Sequence, residues 1–413
     1  MCNILSLKRM VLVLMLLPLG VFGQAGMKFE HGISWSEIQA KAKAENKFIF
    51  MDAYTTWCGP CRQMSQNIFP LQEVGSFFNQ KYINVKVQLD TTEKDNEEVK
   101  QWYKDGHDIM VDYKVNVFPT YLFFDPNGKL VHRAVGSSTP DKFIAKGEDA
   151  LNPEKQYYVL LDQYKNGNTD PEFLKKLSII AQEAYDKANT KKISKEYLQT
   201  QPDYTTADNL VFLNRFTKTS KDTGFVVIMN NVEKFDALRG KGAANKKIVD
   251  IIILEEVNPR VYKNNAIPDF DAINEKVTKK YPKHGGEAVA SSKVVYYQNK
   301  QDWANFQTAV VDYMSKYSSS PSPDQINVYA KTIFDFCKDV ECIKLALKWS
   351  KKSIDARQNP AYYNTYANIL YKLGKSKEAI KWQEKALAAT ENNKENYQLV
   401  LDKMKKGEKT WME

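Results

Sequence analysis

The sequence predicts an α/β domain followed by an all-α helical domain. Three observations carry that reading. Strand-like and helix-like patterns alternate from Gly26 to about Leu151 and close on a hairpin. After Asn152 and Pro153 strand signals largely stop, and apolar residues recur at three- and four-residue spacing. Near the C-terminus, Ala367, Leu370, Gly374, Ala379 and Ala386 recur at spacings of three, four, five and seven residues. At 413 residues the chain exceeds one ordinary core, so two units are expected: 26–151 and 152–413.

Residues 1–23 read as a secretory signal peptide. Lys8 and Arg9 precede the apolar run Met10 to Leu17, and small residues surround a cleavage point after Gly23. The run is broken by Pro18 and Gly20 and is shorter than the roughly 20 residues that span a bilayer. Cys2 precedes that run rather than following it, which excludes it as a lipid-bearing cysteine. The expected product is periplasmic or secreted. Ser34 and Glu37 then form a capping box for a helix through Trp35, Ile38 and Ala42 that ends near Asn46. Lys47 to Tyr54 is a buried strand, and Tyr82 to Leu89 alternates Ile83, Val85, Val87 and Leu89 as a second. Thr120 to Asp125 and Lys129 to Val135 flank the turn Pro126, Asn127, Gly128 as a hairpin, and a helix from about Pro140 to Ala150 closes the domain.

In the helical part, Phe173 to Ala188, Asp302 to Tyr317 and Asn327 to Cys337 carry helical spacing. The apolar runs Val226 to Met229 and Ile248 to Leu254 are expected as buried helices from their neighbours. Ser318 to Pro323 reads as the clearest internal linker. Ala367, Leu370, Gly374, Ala379 and Ala386, with Tyr363 and Tyr366 at bulky positions, resemble the tetratricopeptide motif over about residues 360–390. Gln383 departs from that motif's usual aromatic, with Trp382 adjacent. The stretch from Asn327 to Asn359, turning around Asp339, reads as a degenerate partner, because one repeat cannot bury its face alone.

The charge of +9 is interspersed, without the dense basic stripe that nucleic-acid binding wants. Four cysteines remain after the leader. A bridge between Cys58 and Cys61 would close a ring too small to remove much chain entropy, so its value lies in exchange chemistry. The block Trp57, Cys58, Gly59, Pro60, Cys61 follows a strand and opens a helix. Unpaired N–H groups and the dipole at a helix start favour the thiolate of the first cysteine, and the second stands one turn in, placed to resolve a mixed disulfide. A zinc site would need a second ligand pair, and His31, His107, His132 and His284 do not cluster. Cys337 and Cys342 either bridge a helix turn or stay as buried thiols. Trp303, Trp349 and Trp382 are read as core.

On these residues the span from Lys28 to Leu151 resembles the thioredoxin superfamily. The resemblance implies that Asp52, six residues before Cys58, is a buried carboxylate that moves the resolving cysteine's proton, and that Lys86 pairs with it. It implies that Phe118, Pro119 and Thr120 form a cis-proline turn facing the disulfide. Trp57, Gly59, Pro60, Phe118 and Pro119 would then meet an extended substrate segment. The span between Asp90 and Pro119, with Trp102, Tyr103, His107 and Met110, is longer than in a minimal thioredoxin and is expected to add a helix beside the site. The resemblance, joined to the leader, implies an exported thiol–disulfide oxidoreductase with no cofactor beyond the redox-active disulfide. The Gly59–Pro60 pair leans it towards reductase. Its expected partners are protein thiols and disulfides, a membrane thiol shuttle as electron donor, and a protein on the helical domain. The rival readings are a helical binding or chaperone-like module, and a disulfide oxidase or isomerase.

Overall fold

The computed structural model describes residues 26–263 and 266–411, so the leader assigned to residues 1–23 lies outside the described residues. The chain divides into two compact units between Pro202 and Asp203.

The first unit is built on a four-stranded sheet. The capping box forms as expected: Ser34 accepts from the Glu37 N–H, and Glu37 accepts from the Ser34 N–H, opening α1 (Trp35–Glu45), which Asn46 ends in the left-handed region. β1 (Phe48–Tyr54) is followed by α2 (Gly59–Asn67) and α3 (Gln72–Lys81), and β2 (Tyr82–Gln88) pairs parallel to β1. Two short helices, α4 (Glu97–Gln101) and α5 (Tyr103–Asp112), fill the long span after Asp90. β3 (Thr120–Phe124) runs antiparallel to both β1 and β4 (Leu130–Val135), and α6 (Pro140–Leu151) follows. The strand order is therefore β2-β1-β3-β4.

β1 sits inside the sheet and is buried on both faces, which explains its apolar run from Phe48 to Met51. The period of two sorts its residues. Ile49, Met51 and Ala53 join Ile83, Val85, Val87, Leu122 and Phe124 on the face that α1 and α5 cover with Ile38, Ala42 and Ile109. Phe50 joins Tyr121 and Phe123 on the other face, under Met64 of α2, Val74 and Phe78 of α3 and Phe143 of α6. Phe78 and Phe143 stack with ring centroids 4.6 Å apart, and Phe50 meets Phe78 edge-on at 4.9 Å. Asp52 shares this second face by register.

The unit continues past α6 through α7 (Tyr157–Lys165), α8 (Pro171–Glu183) and α9 (Lys187–Gln199). α7 packs on β4, and the Tyr157 N–H donates to His132 Nδ1 at 3.1 Å. Burial pushes the His132 imidazole down to about 4, so it is the neutral ring that accepts this bond. The stretch Phe173 to Ala188, helical by its spacing, is shared between two helices: α8 stops at Glu183, and Tyr185 turns the chain at φ 59°. A left-handed non-glycine residue breaks helical continuity in a way that apolar spacing does not register.

Gly75 on α3 is required by close approach. A Cβ there would lie 2.2 Å from the Gly26 carbonyl, where the segment from Gly26 to Glu30 crosses α3, its Met27 N–H donating to Phe69 O in the turn after α2 and its Glu30 N–H to Asn84 O on β2. We predict that Gly75→Ala lifts this segment and costs about 1–3 kcal/mol, read as a lower urea midpoint with an unchanged slope.

The second unit is helical throughout its described residues, from α10 (Ala207–Phe216) to α22 (Lys394–Lys406). Val226 to Met229 and Ile248 to Ile252 are helical as expected, the second running into a π turn at Ile253–Val257. Ser318 to Pro323, read as the clearest internal linker, joins the helix Trp303–Tyr317 to the helix that opens at Pro323. It is a short connection inside this unit, with Ser322 and Gln325 forming the capping box of α18 (Pro323–Phe336) and Pro323 as its first residue. Serine and proline there start a helix. α18 pairs with α19 (Val340–Ala356) through a turn at Asp339, and α20 (Pro360–Lys372) pairs with α21 (Ser376–Ala389). Ala367, Ala379 and Ala386 are buried at that second contact, Gly374 takes the turn at φ 79°, and Tyr363 and Tyr366 pack on Trp382. Gln383 is buried because its amide donates to Tyr397 O at 2.9 Å.

Candidate functional site

Cys58 occupies the N-cap of α2 with extended backbone, and its sulfur accepts from the Cys61 N–H at 3.1 Å. The sulfur therefore stands where a serine or aspartate oxygen would cap a helix, facing donors that the first turn cannot otherwise satisfy. Pro60, at the second helical position, has no N–H to leave unpaired. No acidic residue lies in the first turn to compete with a sulfur anion. Cys58 and Cys61 are joined in a disulfide with Cα atoms 5.3 Å apart, and both are buried.

Trp57 is 68% exposed and meets Phe118 edge-on at 5.7 Å. The Phe118–Pro119 bond is cis, Pro119 is buried, and Thr120 Oγ1 donates to Val117 O across the turn. Gly59 and Pro60 are exposed at the start of α2, and a Cβ on Gly59 would meet open space. Trp57 and Phe118 thus form one aromatic lip beside an accessible backbone.

Asp52 is 1% exposed in the middle of β1, directly opposite Lys86 on β2 and Tyr121 on β3. Neither carboxylate oxygen has a hydrogen-bond partner among the described residues, and Lys86 Nζ lies 3.8 Å away. Burial pushes the carboxyl up to about 6, against the downward pull of the lysine, so the group gains and loses a proton near neutrality. Lys86 is held from elsewhere: its ammonium donates to Ser65 Oγ at 2.7 Å and lies over the rings of Tyr54, Phe69 and Phe29 at 4.9, 5.6 and 5.7 Å.

Two contributors are not legible in the sequence. Ser65, on the face of α2 turned towards the sheet, carries no motif or spacing that marks it. Asp90 accepts from the Thr56 N–H at 2.9 Å and from the Thr56 hydroxyl, tying the residues before Cys58 to the start of the long span. The expectation of an added helix there is met by α4 and α5. Asp95 anchors this region by accepting from Gln88, Thr92 and Tyr103, and Trp102 donates to Ile33 O.

In the second unit Cys337 and Cys342 are buried free thiols, so of the two arrangements open to them the structure has the unbridged one. Among the described residues no group of three His, Cys, Asp or Glu side chains is placed to hold a metal, and no helix is long and apolar enough to cross a membrane.

Residues 35–151 match the family model described as a thioredoxin-like domain. The chain is 37% identical over 94 residues to a thioredoxin of Coprinus comatus, covering 20% of this chain and 80% of that one. It is 29% identical over 96 residues to thioredoxin-T of Drosophila melanogaster, covering 23% of this chain and 50% of that protein. Against several such relatives the chain spans only half to three fifths of their length. Among solved structures, a candidate disulphide-isomerase from Bacteroides thetaiotaomicron is 30% identical, with 32% of this chain and 98% of that chain covered and a TM-score of 0.26.

Proposed function

We propose that this chain, which belongs to the thioredoxin family, is an exported thiol–disulfide oxidoreductase that reduces protein disulfides through Cys58 and Cys61. The observation that carries the proposal is the Cys58 sulfur at the N-cap of α2, accepting the Cys61 N–H. In the reduced protein, Cys58 attacks a partner disulfide: a Cys58–partner bond forms, and one partner sulfur leaves as a thiol. Cys61 then attacks the Cys58 sulfur, releasing the second partner thiol and regenerating the internal disulfide. Asp52 accepts the proton that Cys61 must give up, and Lys86 keeps the carboxylate form accessible. Trp57, Gly59 and Pro60 on one side and Phe118 and Pro119 on the other meet the substrate segment.

The direction of flow rests on Gly59–Pro60, the dipeptide of reducing thioredoxins. Reduction outside the cytoplasm needs a supply of electrons, for which a membrane thiol shuttle is the fitting class of donor. The paired helices of the second unit, tetratricopeptide-like in their small residues, would hold a protein partner. The experiment is insulin reduction by the leader-free chain with a dithiol donor, joined to the equilibrium constant of the Cys58–Cys61 pair with glutathione. Turnover with a strongly reducing pair supports the proposal; a strongly oxidising pair gives the chain to the oxidase or isomerase class. Trp57→Ala is expected to raise KM for a protein disulfide about 10-fold while leaving stability unchanged, since the ring is exposed and its burial comes with the substrate.

A further inference from the structure

Cys337 ends α18 and Cys342 lies in the first turn of α19, so a single turn carries both thiols. Both are buried, at 4% and 3% exposure, and both meet the same turn residue: the Cys337 thiol donates to Asp339 O at 3.6 Å, and Asp339 Oδ2 accepts from the Cys342 N–H at 3.3 Å. The turn over them is open to solvent: Lys338 and Asp339 are exposed, and so are the flanking Phe336 and Val340. Asp339 holds the turn, accepting from the N–H groups of Glu341 and Cys342. A bridge across five residues, like one across three, removes little chain entropy and is a weak staple. Two buried thiols in such a turn are therefore better suited to exchange than to holding the unit together.

We propose that Cys337 and Cys342 form a second dithiol–disulfide couple, a modification site on the helical unit that takes small-molecule disulfides such as glutathione disulfide as its oxidant. The two thiols are not equivalent. Lys372 places its ammonium on the Cys337 carbonyl at 3.0 Å, bringing positive charge to that residue. Burial, with Cys337 close by, pushes the Cys342 thiol up to about 12, which makes it the poorer first nucleophile. Cys337, whose S–H donates to Gln307 Oε1 at 3.1 Å, gives up its proton and attacks one sulfur of the oxidant. A Cys337–glutathione bond forms, and one glutathione leaves and takes up a proton. Cys342 then attacks the Cys337 sulfur, the Cys337–Cys342 bond forms, and the second glutathione leaves with the second proton. Two protein thiols lose two electrons, and one disulfide becomes two thiols.

The test uses the full leader-free chain carrying Cys58→Ser and Cys61→Ser, which removes the first couple. It is reduced, freed of reductant and exposed to glutathione disulfide without denaturant. The expected result is joint loss of both remaining thiols to maleimide labelling and a Cys337–Cys342 cross-linked peptide on digestion. Adding Cys342→Ser should trap one glutathionyl group on Cys337, and adding Cys337→Ser should slow adduct formation at least about 10-fold. Thiols that react only after denaturant is added, or two separate adducts with no cross-link, would overturn the couple. Equal rates for the two single-thiol variants would overturn the assigned order. Should either added serine disturb folding, the cross-link in the variant that keeps both cysteines decides alone.

Discussion

Serine at position 58 is expected to reduce insulin-reduction turnover to background, a loss on the order of 10³-fold or more. The reason is local. The Cys58 sulfur is the N-cap atom that accepts the Cys61 N–H, and a hydroxyl placed there caps the helix without becoming a leaving group or a nucleophile of comparable strength. Because serine is a good N-cap, the fold should be preserved, with an unfolding midpoint close to that of the reduced parent. Cys61→Ser should behave differently. Attack by Cys58 survives, resolution fails, and a mixed disulfide with the substrate accumulates and can be isolated on a non-reducing gel. Equal turnover by the Cys58→Ser chain and the parent would remove the chemistry from this pair altogether.

Asp52→Asn is expected to make the protein more stable at pH 8 and slower at exchange. The carboxyl is raised from 3.8 to about 6 by burial, so the folded chain binds its proton more tightly than the unfolded chain does. Its contribution to stability is fully present below pH 4, declines as the pH rises towards 6, and is gone above it. The two values set a ceiling of about 3 kcal/mol on the difference. Asparagine keeps the shape and carries no charge, so the variant should match the parent near pH 4 and exceed it at pH 8 by up to that amount, read from urea midpoints at each pH. Lys86, left without its carboxylate, keeps Ser65 and three aromatic rings. Exchange should slow by about 10-fold or more, because the proton of Cys61 loses its acceptor. A stability difference that does not change with pH would mean that Asp52 holds no proton of its own in this range.

The elements legible in the sequence are those fixed by local chemistry. Ser34 and Glu37 announce α1 because a capping box is complete within four residues, and the turn of Pro126, Asn127 and Gly128 announces its hairpin for the same reason. Cys58 and Cys61 are placed by the strand before them and the helix after them, while Pro119 joins them through the resemblance to the thioredoxin superfamily. α3 is harder to read: its buried positions Val74, Gly75 and Phe78 include a glycine whose reason is the distant Gly26 backbone. The Asp90–Thr56 tie and the hold of Ser65 on Lys86 join residues 34 and 21 apart, and no spacing rule reaches across such intervals. The run from Phe173 to Ala188 shows the converse failure, where apolar periodicity continues through a break that only the backbone of Tyr185 reveals.

The most direct measurement is the titration of Cys58 in the reduced chain, followed as the pH dependence of its alkylation rate, with Cys61 alkylation resolved by peptide mapping. A helix N-cap thiol stabilised by the first-turn N–H groups is expected to reach half its maximal rate well below the roughly 8.5 of a free cysteine, while Cys61 stays slow over the same range. Half-maximal alkylation at the free-cysteine value, with the two sulfurs reacting alike, would contradict the account.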